Sequence, residues 1–435
     1  MDFEQSLEVS IEKLTLGGRG IGRYQGIAVF VPLTAPGDRV LCKVVRSRKT
    51  YLEASLLEVL EPSPHRRTAP CPLFGVCGGC QWQHVAYPQQ LASKDQILRD
   101  QLIRNQLTTP NRVLPAASAP DEWRYRNRVN FKCRHTHQDE FVIGFYRSGS
   151  HYVVDVDTCL LIHPHIQNTL ELLRFELPRS PAPNAIPQVD VTSGDDGAIQ
   201  LIVHVLPEAA DLLHRWLSRR AKELNWNASL QSGRKTSLCH VHGETSQRVG
   251  FWPYGLELSV SPGGFAQVNS VQNENLVSNV LSCAKLSGQE RVLDLFCGAG
   301  NFSLPLAQHA GQVVGVEAYG PAICDARANA KANQLTNVSF FEADAARALA
   351  TTIDANDFDV VIIDPPRTGC YDVVNLLKQC QRLQKVIYIS CNPGTLSRDL
   401  VPLIYGGFEV MSSQAFDLFP QTWHIESVTC LERQR

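Results

Sequence analysis

Three things are missing from this sequence. No apolar run approaches the ~20 residues that a membrane span needs. The opening, Met1-Asp2-Phe3-Glu4, has neither the basic stretch nor the apolar stretch of a secretory leader. There is no strong charge of either sign, since the formal net charge is −2. These absences argue against a membrane protein, a secreted disulfide framework and a wholly basic nucleic-acid binder. A cytoplasmic location with reduced thiols is expected, with no membrane association. Internal repeats and long low-complexity tracts are absent too. Hydrophobic residues make up 44% and charged residues 19%, which excludes a disordered chain. At 435 residues, two to four domains are expected.

Cysteine is present in excess, at 14 residues. In a reducing compartment these must be packing thiols, metal ligands or nucleophiles, and their spacing has to sort them. Charge is also unevenly spread: residues 1–150 sum to +6 and the remainder to −8, so the first third leans towards polyanions.

Residues 6–60 read as closely spaced strands: Leu7–Ile11, Gly26–Pro32, Val40–Val44 and Leu56–Leu60, with a turn at Ala35–Asp38. Such spacing suggests a small barrel. Gly17–Arg23 reads as a flexible hairpin connection, because no helix pattern follows its glycines. Glu61–His65 reads as a linker, Pro88–Gln106 as a helix and Pro181–Asn184 as a loop. From about residue 270 strand and helix alternate, which argues for an open α/β domain with a mainly parallel sheet.

In that last region Arg291–Phe296 is a buried strand, Cys297-Gly298-Ala299-Gly300-Asn301 a small-residue turn, and Phe302–Ala307 opens a helix. A dinucleotide site would need a third glycine where Ser303 stands, so a nicotinamide or flavin cofactor is disfavoured. The next strand ends in Glu317, suited to ribose hydroxyls, and the one after in Asp344, suited to an adenine amino group. Acids at successive strand ends after a glycine turn are the pattern of class I S-adenosylmethionine (SAM) methyltransferases. The fourth strand ends Asp364-Pro365-Pro366-Arg367 and the fifth Ser390-Cys391-Asn392-Pro393.

A cysteine at such a strand end changes the expected chemistry. Carbon 5 of uracil is a poor nucleophile until a thiolate adds at carbon 6, and a base must then remove the carbon-5 proton. Cys391 can supply the thiolate, with Arg367 nearby to favour it. Glu426, in His424-Ile425-Glu426 at the start of a late strand, can supply the base.

Cys71, Cys77 and Cys80 lie within ten residues, spaced C-x5-C-x2-C. They can wrap one metal centre if a fourth ligand comes from Cys133 or Cys159. Zinc and an iron–sulfur cluster both accept four thiolates. The segment Trp123–Arg134 carries five basic residues, no acid and three interleaved aromatics. Read as a strand with one exposed face, it suits RNA phosphates and unpaired bases, through Arg124, Arg126, Arg128 and Lys132. Arg46, Arg48 and Lys49 add charge on the barrel.

Asp-Pro-Pro-Arg, Ser-Cys-Asn-Pro and the terminal His-x-Glu together resemble the RNA uracil-C5 methyltransferase family. The resemblance covers most of the chain. It implies Cys391 as nucleophile and Glu426 as general base. It places Gln267, Phe296, Asn301, Glu317, Asp344 and Asp364 around the cofactor and target base, with Phe265 beside the RNA in the loop Ser261–Asn269. Cys71–Cys80 with Gln81-Trp82-Gln83-His84 looks like the family's [4Fe–4S] motif, Cys159 taking the fourth place. The barrel resembles a TRAM domain, an OB-like RNA-binding module. The implied fold is a multidomain α/β chain. Residues 1–62 form the TRAM barrel, 63–262 a central α+β domain with cluster and RNA-contact segment, and 263–435 a Rossmann-like SAM methyltransferase domain.

Within the family, this combination looks most like the bacterial enzymes that methylate uracil 1939 of 23S rRNA. The tRNA uracil-54 enzyme typically lacks TRAM and cluster, and the 23S uracil-747 enzyme typically lacks TRAM. Pro366 stands where the proteobacterial 23S enzymes often carry alanine, so all three targets stay open. The expected partner is 23S rRNA, naked or in early assembly, with no obligate protein partner. The competing reading is a non-catalytic RNA binder used in ribosome assembly. The other nine cysteines (Cys42, Cys133, Cys239, Cys283, Cys297, Cys324, Cys370, Cys380 and Cys430) are expected to be packing thiols.

Overall fold

The structure is a computed structural model that describes residues 6–136, 140–234 and 237–434. Strands β1 (Ser6–Leu14), β2 (Gly20–Tyr24), β3 (Ile27–Val31), β4 (Arg39–Ser47) and β5 (Tyr51–Glu61) close into a barrel in the order β1-β2-β3-β5-β4. Alternation builds it. Leu7, Val9, Ile11, Val29, Val31, Val40 and Leu52 fill the interior while their neighbours face out.

Gly17–Arg23 is not only a connection. The turn ends at Gly18, and Gly20–Arg23 belongs to β2. A Cβ on Gly22 would lie 2.2 Å from the Ser10 carbonyl oxygen, so glycine there lets β2 run tight against β1. Glu61–His65 is anchored: Ser63 donates its N–H to Asp38 (2.8 Å) and its hydroxyl to the Pro36 carbonyl (2.6 Å).

The chain continues through α1 (Tyr87–Arg104), β6 (Val113–Ala117), β7 (Arg128–His135), β8 (Phe141–Tyr146), β9 (Val153–Asp155), α2 (Pro164–Glu176), β10 (Gln188–Ser193), β11 (Ile199–Val205), α3 (Ala210–Leu224), β12 (Asn227–Ser232) and β13 (Leu238–His242). Seven of these strands form one sheet, β13-β12-β11-β10-β7-β8-β9, with α2 and α3 over its apolar face. β14 (Gln247–Phe251) and β15 (Leu256–Val260) make a separate hairpin. Pro183–Ala185, expected in a loop, forms one short 3₁₀ turn.

The last region carries α4 (Ser270–Ala284), β16 (Arg291–Leu295), α5 (Ser303–Ala307), β17 (Gln312–Glu317), α6 (Gly320–Ala332), β18 (Val338–Glu342), α7 (Ala345–Thr351), β19 (Val360–Ile363), α8 (Tyr371–Leu377), β20 (Lys385–Ser390), α9 (Pro393–Tyr405), β21 (Phe408–Phe416) and β22 (Glu426–Arg433). Its eight-stranded sheet runs β18-β17-β16-β19-β20-β22-β21-β6, parallel except where β22 pairs antiparallel with both neighbours. The reversal of strand order between β16 and β19 opens the crevice where ligands bind in such sheets.

Residues 87–117 fall inside the expected central unit, but they pack on this second sheet. β6 pairs in parallel with β21, and α1 lies against α9 and β21. Among the described residues no helix is long and apolar enough to cross a membrane.

Candidate active site

The crevice is built from strand ends. After β16 the chain turns sharply: Phe296 has φ 65°, and Phe296 and Cys297 both donate to the Val316 carbonyl (2.8 and 3.1 Å). Gly298, at φ 55°, then donates to Glu317 Oε2 (3.3 Å), and Tyr319 N–H donates to Oε1 (2.8 Å). The Glu317 carboxylate is thus fixed beside the glycine turn. Beneath it Asp294 is fully buried and accepts from the Ser303 hydroxyl, which ties the turn to α5.

A cavity opens over this turn. Gln267, Phe296, Asn301 and Asp364 all line it, with Phe265 at its rim, 66% exposed. Glu317 and Asp344 are not among its lining residues; the glycine turn holds Glu317 through Gly298, and Asp344 is engaged elsewhere. That carboxylate caps α7, accepting from Arg347 N–H at 3.0 Å. Asn273 joins the expected set: its amide and that of Asn301 exchange two hydrogen bonds (2.8 and 3.2 Å). No motif announces Asn273. Its signal is a polar residue, 3% exposed, at the head of the helical stripe Leu276, Val277, Val280, Ala284.

Cys391 follows the end of β20, and Glu426 begins β22. Ser390 pairs with Ser427 in that ladder, so continuing the register sets Cys391 opposite Glu426. Glu426 is 4% exposed, and its Oε1 is buried without a partner. Burial, with Asp364 nearby, holds its pKa well above the usual carboxylate range, and the Arg367 guanidinium opposes this. Burial, with the Glu426 and Asp364 charges, pushes the Cys391 thiol up to about 11, again opposed by Arg367. Burial and Glu317 push Asp364 up to about 7. Three carboxyl groups and a thiol therefore crowd one end of the sheet. Such a site favours a cation and a partner for its orphan oxygen.

The loop that delivers Glu426 is held by segments far earlier in the chain. Lys94 on α1 donates to Asp417 (2.6 Å) and to the Phe419 carbonyl (3.1 Å). Gln421, at φ 70°, accepts from the N–H groups of Gln81 and Trp82 (3.1 and 3.0 Å) and bonds Gln90 through its own N–H (3.0 Å).

Gln81 and Trp82 directly follow the clustered cysteines. Cys71, Cys77, Cys80 and Cys159 line one cavity of about 650 Å³. Burial pushes Cys80 up to about 12 and raises Cys77 and Cys159. Among the described residues, no three His, Cys, Asp or Glu side chains are grouped to hold a single metal ion. Cys133, the other possible fourth ligand, is buried in the core of the central sheet.

The basic segment is split. Only Arg128–Arg134 is strand, because the backbone before it bonds elsewhere: Arg126 N–H to Leu161 and Asn127 N–H to Val268. Arg124 is exposed, at φ 57°. Arg126 turns inward instead of towards RNA: it lines the cysteine cavity, with its Nε buried and unpartnered. Arg128 donates to the Gly264 carbonyl (2.6 Å), and Lys132 bonds Gln188. Of the nine remaining cysteines, Cys239 and Cys324 are exposed and do not pack; Cys283 is half-buried and the other six are buried.

Comparison with known proteins fits this geometry. The family "tRNA (Uracil-5-)-methyltransferase" matches residues 86–434, and "TRAM domain" matches residues 5–57. A protein of Alkalilimnicola ehrlichii named 23S rRNA (uracil(1939)-C(5))-methyltransferase RlmD is 34% identical over 436 residues, covering 99% of this chain and 97% of its own. One of the same name from Stenotrophomonas maltophilia is also 34% identical, covering 98% and 97%. The solved tRNA (uracil-54, C5)-methyltransferase of Pyrococcus abyssi, in complex with S-adenosyl-L-homocysteine, superposes with a TM-score of 0.75 at 24% identity, covering 98% of this chain and all of its own. A tRNA enzyme thus shares the whole fold, so domain layout does not separate rRNA from tRNA targets. The chain belongs to the SAM-dependent RNA uracil-C5 methyltransferases, in their TRAM-bearing form.

Proposed function

We propose that this enzyme methylates one uracil of 23S rRNA, with uracil 1939 as the candidate, through a covalent bond between Cys391 and carbon 6. The observation that carries the chemistry is the facing pair Cys391 and Glu426, with an orphan carboxylate oxygen, beside the cavity of the glycine turn. The rRNA assignment rests on the names of the 34%-identical relatives.

The cofactor supplies an electrophilic methyl group. Gln267, Asn301 and Asp364 bind and orient it, and Phe296 shapes the turn beneath. Glu317 and Asp344 are the weaker candidates, because neither lines the cavity and both carboxylates already accept backbone N–H groups. The Cys391 thiolate adds to carbon 6, and the electron pair moves to carbon 5, which would take the methyl group as the sulfonium S–CH3 bond breaks and S-adenosylhomocysteine leaves. Glu426 then accepts the carbon-5 proton, the S–C6 bond breaks, and the ring double bond re-forms. Arg367 stabilises the thiolate against its acidic surroundings. In this reading Arg124, Arg128, Lys132 and Phe265 meet the RNA, Arg128 and Lys132 giving up their present bonds to Gly264 and Gln188 to do so.

The four half-buried cysteines around one cavity support a [4Fe–4S] cluster held by Cys71, Cys77, Cys80 and Cys159. Its role in this reading is structural, since the segment after it clamps the loop before Glu426.

The test incubates anaerobically purified protein and methyl-labelled SAM with 23S rRNA and, separately, with tRNA. Label in 5-methyluridine at position 1939, and about four irons per chain, are expected. Label only in tRNA overturns the target, no label overturns the activity, and zinc alone overturns the cluster.

Asp364 gives a pH prediction. It titrates at about 7, and only its ionised form attracts the sulfonium of SAM. SAM affinity should therefore fall about tenfold from about pH 8 to pH 6. S-adenosylhomocysteine, which lacks that charge, should bind with a flatter profile, and Asp364→Asn should remove the difference. Calorimetric titration of both ligands checks it, and equal profiles would refute the assignment.

A further inference from the structure

The outward face of β7 leads away from the cofactor cavity. Arg128, Asn130 and Lys132 alternate along it, while Val129 and Phe131 face the core. Arg128 touches Gly264, next to Phe265 at the cavity rim. Two and four residues further, about 7 and 13 Å along the strand, Asn130 and Lys132 enter a second cleft of about 980 Å³. Tyr146 forms its floor, Gly78 and Gly79 of the cysteine loop one wall, and the turn bearing Arg147 and His151 the other. Among the described residues, no acidic side chain lines it.

This cleft is built, not incidental. Gly78 N–H donates to the Tyr146 carbonyl (2.9 Å), and a Cβ on Gly78 would lie 2.9 Å from that oxygen, so the cysteine loop is laid directly on β8. The Tyr146 and His151 rings meet at right angles with centres 5.4 Å apart, and Lys132 Nζ lies over the Tyr146 face, 5.4 Å from its centre. An aromatic ring with a lysine over it, in an open cleft with no acid among its described lining residues, fits a planar base that takes the ring face and moves the lysine onto its phosphate.

We infer that this cleft is a subsite for an unpaired nucleotide of the substrate RNA, close to the target uracil in sequence, stacked on Tyr146 with its phosphate on Lys132 and Arg147. The inference rests on the RNA methyltransferase reading above. It also gives the cysteine loop a part in RNA binding, because that loop supplies one wall.

The test is steady-state methylation of a 23S rRNA fragment by the full-length protein, with KM for RNA and for SAM measured separately. Tyr146→Ala should raise KM for RNA about five- to a hundredfold, the loss of one stacked base. KM for SAM should not move, and Tyr146→Phe should restore the RNA value. A 4-thiouridine placed beside the target should crosslink to the peptide containing residues 145–151. Unchanged KM for RNA in Tyr146→Ala, with normal methylation, overturns the subsite alone. Failure of the unaltered protein to methylate any RNA overturns the activity and the subsite with it. A rise in both KM values, unrescued by Tyr146→Phe, marks a folding defect and also counts against the subsite.

Discussion

Cys391→Ala abolishes methyl transfer and leaves SAM binding intact: that is the expected result with the largest effect. Without the thiol, carbon 5 of uracil never gains enough electron density to attack the methyl group. The same variant should form no denaturation-resistant complex with RNA carrying 5-fluorouridine, whereas the parent should be trapped, because fluorine cannot leave as a proton does. Glu426→Gln should behave in the opposite way with natural uridine RNA. Addition and methyl transfer still occur, but the carbon-5 proton stays, so the covalent methylated complex accumulates while turnover falls about 10²–10⁴-fold. Gel mobility under denaturing conditions reads both outcomes. Full turnover in Cys391→Ala would sink the covalent route; a Glu426→Gln variant that releases product at the parent's rate would move the base elsewhere.

The second large effect is on stability. Lys94 and Asp417 form an ion pair with side-chain exposures of 1% and 0%. Lys94→Ala removes one charge and strands the other in a dry interior, a change that costs about 3–5 kcal/mol. That is a large fraction of the ~5–15 kcal/mol by which domains are stable, so the thermal midpoint should drop by several degrees. Activity should fall with it, because Asp417 begins the loop that Gln421 clamps ahead of Glu426. Replacing both partners, Lys94→Met with Asp417→Leu, removes both desolvation costs and should recover most of the midpoint. A thermal midpoint for Lys94→Ala within a degree of the parent would show that the pair contributes little.

The sequence and the structure agree best where chemistry sits on regular elements. Glu317, Asp364 and Cys391 lie at strand ends because buried parallel strands read as apolar runs, and each run stops at a polar residue. The alternating barrel strands are legible for the same reason. Arg126 is misleading because composition shows that an arginine is present but not which way it turns. Its backbone bonds to Leu161 aim it at the cysteines. β6 is hidden because Val113-Leu114-Pro115-Ala116-Ala117 is short and carries a proline. That composition suits an edge strand, where a missing N–H costs no ladder bond. Lys94 and Asn273 are visible only as polar interruptions of apolar helix stripes.

The pairing of β6 with β21 bears on how the molecule is made. The two strands are about 300 residues apart in sequence. At ~5–20 residues per second, a ribosome that has released β6 needs roughly 15–60 s to deliver its partner. During that time α1 and β6 expose the apolar surface that β21 and α9 later cover, while the central sheet between them is complete and free to fold. The catalytic sheet is therefore among the last parts of the protein to close. A fragment beginning at residue 263 would lack its outer strand and leave the edge of β21 open to pairing with other chains.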